Sequence, residues 1–144
     1  MNNWIRVGLI GAGLGVIVLV LSWLLGTYII DPLLCRGGTL ASCGNSSVLA
    51  GNVAAVMGAV LGAGILIRLR VHGAMWAALA TLIAFWNIGQ LVDGIRWAEA
   101  AAWMAVLYAL AYLLFAHILR IRSIFTALIV AAIAVLVLRW VAFL

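Results

Sequence analysis

The chain has 144 residues, of which 69% are hydrophobic and only 8% are charged, and its mean hydropathy is +1.36. Soluble domains carry about 25% charged residues, so this composition excludes a water-soluble domain and predicts a polytopic integral membrane protein. The formal charge of +5 comes from eight basic residues, all arginine, against three acidic ones. Most of these arginines lie in short connections between apolar runs, where they set topology, and we expect no nucleic-acid partner.

Five apolar runs predict an all-α, compact bundle of five transmembrane helices in a single domain over residues 1–144. In chain order, the spans are expected at about 7–30, 47–67, 74–92, 100–118 and 123–143. We interpret the first run as an uncleaved span, not as a signal peptide. Asp31 and Pro32 are expected to end its helix, because proline disfavours helical geometry in the residue before it.

The arginine distribution predicts the orientation of the bundle. One face carries five arginines and the opposite face three: Arg6, Arg68, Arg70, Arg120 and Arg122 against Arg36, Arg96 and Arg139. This count places the N-terminus in the cytoplasm and the C-terminus outside, as expected for a multi-pass protein of a bacterial inner membrane. Four spans plus a re-entrant hairpin are the alternative, since the loop before the fourth span is short, and they would return the C-terminus to the cytoplasm.

The stretch 86–93 interrupts an apolar run with polar side chains at helical spacing. Asn87, Gln90 and Asp93 recur every third residue, so on a continuous helix they share one broad face. A polar face is costly in hydrocarbon unless it is partnered, which predicts that this face points into the bundle. Three further polar residues are expected in the same outer half of the membrane: Asn52, Glu99 and Arg139.

These six residues, which we call the polar cluster, have two interpretations. We favour interhelical hydrogen bonds that fix helix register. The alternative is a hydrophilic pocket, open to the outside, that binds a small polar solute, a lipid headgroup or a quinone. Within the cluster, Arg139 needs a carboxylate, a carbonyl or a route to the interface, and Asp93 or Glu99 is its expected partner.

Small residues predict where helices approach closely. The first span carries three glycines along one side and the second carries a GxxxG pair: Gly8, Gly11 and Gly15, then Gly58 and Gly62. We expect these glycines to form helix contacts within one copy of the chain, with a dimer or partner seam as the alternative. The deeper tryptophans Trp23, Trp86 and Trp103 are expected to pack against other helices, with the lining of a ligand cavity as the alternative.

Both cysteines, Cys35 and Cys43, fall in the loop after the first span. In an exported loop, two cysteines separated by a flexible spacer are expected to form a structural disulfide. A redox-active pair that exchanges electrons with a membrane quinone is the alternative, but the chain lacks the Cys-x-x-Cys spacing typical of such pairs.

Short loops, glycine-rich helices and the lack of a catalytic motif predict a non-catalytic accessory or scaffolding subunit of a larger membrane complex. Its expected partners are membrane lipids and either another membrane protein or further copies of the chain, and no cofactor or metal is expected. A small oligomeric transporter or channel that uses the polar cluster is the alternative. A quinone-linked thiol oxidoreductase is the third possibility.

Overall fold

The computed structural model describes residues 3–34, 46–69, 73–87, 95–118 and 124–142, and in these ranges the chain is helical without a strand. Three helical stretches are long and apolar enough to cross a membrane: Trp4–Leu33, Ser46–Arg68 and Trp97–Ile118. The described part of the chain holds five helices, the number predicted. They are α1 (Asn3–Leu25, continued by a π-helical segment, Gly26–Ile30, and a last α-helical turn, Asp31–Leu34), α2 (Ser46–Arg68), α3 (Ala74–Ala84), α4 (Trp97–Ile118) and α5 (Ile124–Ala142).

The bundle is organised around α1, which packs along α4 and α2, while α3 lies against α2 and α4, and α5 packs mainly on α3. Both α4 and α2 run antiparallel to α1. Gly8 faces Leu113 of α4, whereas Gly15 faces Met104, and on α2 Gly58 faces Val18, whereas Gly62 faces Leu14. The largest fully buried side chains include Tyr112 and Phe115. Tyr112 of α4 lies against Gly11 of α1 and Gly62 of α2, so these three helices meet in the core.

The first helix does not end at Asp31 and Pro32, as the sequence predicted, but continues to Leu34. The turn before the proline widens instead, and the backbone N–H of Asp31 donates to the carbonyl of Gly26, five residues back. Proline has no N–H, and its ring collides with the carbonyl four residues earlier, here that of Tyr28, in regular α-helix geometry. The wider π-helical turn is one way in which a helix accommodates such a residue.

The third helix is shorter than predicted. Instead of continuing to residue 92, α3 ends at Ala84, and a turn follows over residues 85–87. An 11-residue helix covers about 16 Å at about 1.5 Å per residue, roughly half of a hydrocarbon core of about 30 Å. Asn87 follows with a φ of 70°, in the left-handed region. The predicted continuous helical face is therefore wrong for Asn87, while Gln90 and Asp93 lie outside the described residues.

Candidate functional site

Asn52 and Asn87 meet in a reciprocal pair of hydrogen bonds between α2 and the turn after α3. The side-chain Nδ2 of Asn52 donates to Oδ1 of Asn87 at 3.0 Å, and the backbone N–H of Asn87 donates to Oδ1 of Asn52 at 3.0 Å. A helix that stops inside an apolar bundle frees backbone groups that must find partners. Asn52 supplies one of these partners from the neighbouring helix.

The rest of the predicted polar cluster does not join this pair within the described residues. Glu99 is exposed in the first turn of α4. Arg139 lies on α5, but its side chain is outside the described structure, as are Gln90 and Asp93. The predicted pairing of Arg139 with Asp93 or Glu99 therefore stays a prediction. The predicted loop cysteines, Cys35 and Cys43, also lie outside the described residues.

The three predicted glycines of α1, Gly8, Gly11 and Gly15, face α4. A Cβ atom added to Gly11 would lie 2.8 Å from the carbonyl oxygen of Tyr108, and one added to Gly15 would overlap the carbonyl oxygen of Met104. These clashes involve backbone atoms, which cannot rotate away. Close contact between α1 and α4 therefore requires residues without a side chain at both positions.

The glycine pair of α2 packs differently. Gly58 receives the side chain of Val18, and Gly62 lies against the hydroxyl of Tyr112 and a methyl group of Leu14. Side chains of α1 and α4 thus enter the small-residue surface of α2, so the five predicted glycines serve two different helix contacts.

A groove opens at the end of the bundle where α1 terminates and where α2 and α4 begin, and we call it the helix-end groove. It has a volume of about 390 Å³, within the range of about 300–1,000 Å³ typical of small-molecule sites. The π-helical segment forms part of one wall through Gly26 and Thr27. The polar and aromatic side chains that line the groove include Ser22, Trp23, Thr27, Asp31, Ser47 and Trp97.

The described lining of the groove carries one charged side chain, the carboxylate of Asp31, which is exposed. Arg96 is exposed between two lining residues, Ile95 and Trp97, without lining the groove itself. The helix dipoles add to this separation of negative charge at Asp31 from positive charge at Arg96. At the groove, α1 presents its negative C-terminal end, whereas α2 and α4 present their positive N-terminal ends. The groove is therefore electrically dipolar.

The sequence analysis did not select this groove, although a signal was present. Trp23, Thr27 and Asp31 recur every fourth residue and so follow one side of the first helix. The sequence analysis uses Asp31 only as a helix-ending residue. For Trp23 the structure supports the alternative, the lining of a cavity, and not the packing against other helices that the sequence analysis favours. Its ring centroid lies 6.4 Å from that of Tyr28 in an edge-to-face arrangement.

Within the described ranges, no group of three or more His, Cys, Asp or Glu side chains is placed to hold a metal ion. Comparison with protein-family models, curated proteins and solved structures found no match.

Proposed function

We propose that this chain is a polytopic inner-membrane protein without catalysis of its own, which acts as an accessory or scaffolding subunit of a larger membrane assembly. The observation that carries this proposal is the closely packed contact of α1 with α2 and α4. Tyr112 lies between these helices and Phe115 is fully buried, and among the described residues no buried side-chain nitrogen or oxygen lacks a hydrogen-bond partner. A packed interior of this kind suits a scaffold better than a pore through one copy.

The outward faces of the helices supply surface for such an assembly. On α2, three exposed apolar side chains follow one another at helical spacing: Val53, Met57 and Val60. Gly64 continues this face, and a Cβ atom added there meets nothing within 4 Å. Gly13 is equally open on α1. Helices associate in lipid through small residues that allow close approach, so these two glycines are the positions at which we expect a partner helix.

The proposal is tested by purifying the tagged protein from its native membrane in a mild detergent and identifying the copurifying proteins by mass spectrometry. Gly64→Leu and Gly13→Leu are then compared with the wild type. Both should keep the fold, because their new side chains point into open space, and one of them should lose a stoichiometric partner. Leu110→Ala on the exposed side of α4 is the control, and it should retain that partner.

A wild-type protein that purifies alone, as a monomer, would contradict the accessory-subunit proposal. A defined homo-oligomer without other proteins would also contradict it and would favour the small transporter or channel. Solute flux into liposomes that contain the purified oligomer would then measure that activity directly.

A further inference from the structure

The helix-end groove has features of a binding site that are independent of the packed interior. It combines a carboxylate, Asp31, with the indoles of Trp23 and Trp97 and with hydroxyl groups. A carboxylate accepts hydrogen bonds from an ammonium group, and tryptophan faces attract organic cations through their π-electrons. Both indoles are more than half exposed, at 55% for Trp23 and 61% for Trp97. They are therefore accessible to a ligand.

The dipolar charge distribution of the groove favours a zwitterionic ligand over a simple organic cation. A simple cation would be attracted by Asp31 but repelled by the positive ends of α2 and α4 and by the nearby Arg96. A zwitterion places its ammonium group towards Asp31 and its anionic group towards the helix N-termini. Trp23, Trp97 and Tyr28 are exposed around the groove, and tryptophan and tyrosine favour membrane interfaces. This indicates that the groove lies at the level of the lipid headgroups, where the zwitterion is a phospholipid headgroup.

We propose that the helix-end groove binds the ammonium group of a zwitterionic phospholipid headgroup, with Asp31 as the hydrogen-bond acceptor and Trp23 and Trp97 as the aromatic walls. The inference shares with the proposed function only the placement of the helices in a membrane. A protein without any partner subunit would still bind this headgroup, so the two proposals fail separately.

The test is native mass spectrometry of the purified full chain with defined lipids. Phosphatidylethanolamine carries the required ammonium group, whereas phosphatidylglycerol has the same phosphate without it. The wild type should retain phosphatidylethanolamine preferentially. Asp31→Asn should reduce this retention about tenfold, as expected for the loss of a charge-assisted hydrogen bond, and Trp23→Leu should reduce it as well.

Glu99→Gln is the matched control, because it removes an exposed carboxylate at the N-terminal end of α4 without altering the described lining of the groove. It should retain the lipid at least as well as the wild type does, because it removes a negative charge from the helix end that faces the phosphate. Circular dichroism and thermal unfolding of each variant separate loss of binding from loss of fold. Equal retention of the two lipids, or equal effects of Asp31→Asn and Glu99→Gln in folded protein, would overturn the proposal.

Glycerophosphoethanolamine, the soluble headgroup without acyl chains, distinguishes a lipid from a free ligand. Competition only at concentrations far above those of the lipid supports a membrane lipid whose chains contribute to binding. Competition at equal concentration would overturn the assignment to a lipid and leave a free zwitterion as the ligand of the same residues.

Discussion

At the scale of single residues, the contact between Asn52 and Asn87 explains how a helix can stop inside the bundle. Unpaired backbone groups are costly in an apolar environment. Here the Asn52 side chain uses both its oxygen and its nitrogen on Asn87. The two residues are thus hydrogen-bonded to each other, while the fixing of helix register by the polar cluster stays a prediction.

Replacing Asn52 with leucine removes both hydrogen bonds and leaves the Asn87 N–H without this acceptor. Both hydrogen bonds are part-buried, and at about 0.5–1.5 kcal/mol for each bond their combined loss costs about 1–3 kcal/mol. We therefore expect Asn52→Leu to lower the free energy of unfolding by that amount, measured by denaturation in a mild detergent. Val53→Leu, an exposed neighbour on the same helix, should leave stability nearly unchanged.

Asn87→Gly separates the two hydrogen bonds between these residues. Glycine adopts a positive φ without strain and keeps the backbone N–H that donates to Asn52. We expect a smaller loss than for Asn52→Leu, about 0.5–1.5 kcal/mol for one hydrogen bond, in the same unfolding measurement. A larger loss for Asn87→Gly than for Asn52→Leu would mean that the Asn87 side chain has a role other than this contact.

At the scale of helices, the glycines of α1 differ in what surrounds them, and this difference makes a matched pair of variants. Gly15 faces the backbone of α4, whereas a Cβ at Gly13 meets nothing within 4 Å. We expect Gly15→Ala to separate α1 from α4 and to destabilise the protein by about 1–3 kcal/mol, as overpacking does. Gly13→Ala should be neutral, or stabilising by up to about 1 kcal/mol through helix propensity. Thermal unfolding that ranks the two variants in the opposite order would contradict the contact.

The π-helical segment offers a second prediction at this scale. Pro32→Ala supplies an N–H for the Tyr28 carbonyl and removes the ring that prevents regular geometry. We expect residues 26–34 to return to α-helical hydrogen bonding, with slower amide hydrogen exchange measured by mass spectrometry. Leu33→Ala, at an exposed neighbour, is the control. Unchanged exchange in Pro32→Ala would show that packing, and not the proline, causes the wide turn.

The number of helices could be predicted from the apolar runs, because each long apolar run in this composition favours a helix. The end of α3 could not. Its apolar run continues beyond Ala84 in the sequence, and the described partner of the turn, Asn52, lies on another helix. Glycine spacing likewise marks close contacts but does not say which helix makes them. The structure places Gly11 and Gly15 against α4, a choice that only the tertiary arrangement fixes.

At the scale of the whole molecule, the contacts divide the bundle into two ends. The ring centroids of Trp4 and His117 lie 5.4 Å apart with the two rings tilted by 46°, and this contact joins the start of α1 to the end of α4. At the opposite end, Asp31 and Ile95 line the same groove. The chain therefore passes from one end to the other between α2 and α4, although α3 covers only part of that distance.

This arrangement predicts opposite accessibility for two exposed positions, Leu69 after α2 and Ala98 in the first turn of α4. In a background with Cys35→Ser and Cys43→Ser, Ala98→Cys should react with a membrane-impermeant maleimide in intact cells. Leu69→Cys should react only after the membrane is permeabilised, because the arginine-rich end of the bundle is expected in the cytoplasm. The reverse pattern would contradict the orientation that the arginine count predicts. Labelling of both positions from outside would contradict the expectation that α4 crosses the membrane. Residues at opposite ends of a membrane-spanning helix lie on opposite sides of that membrane.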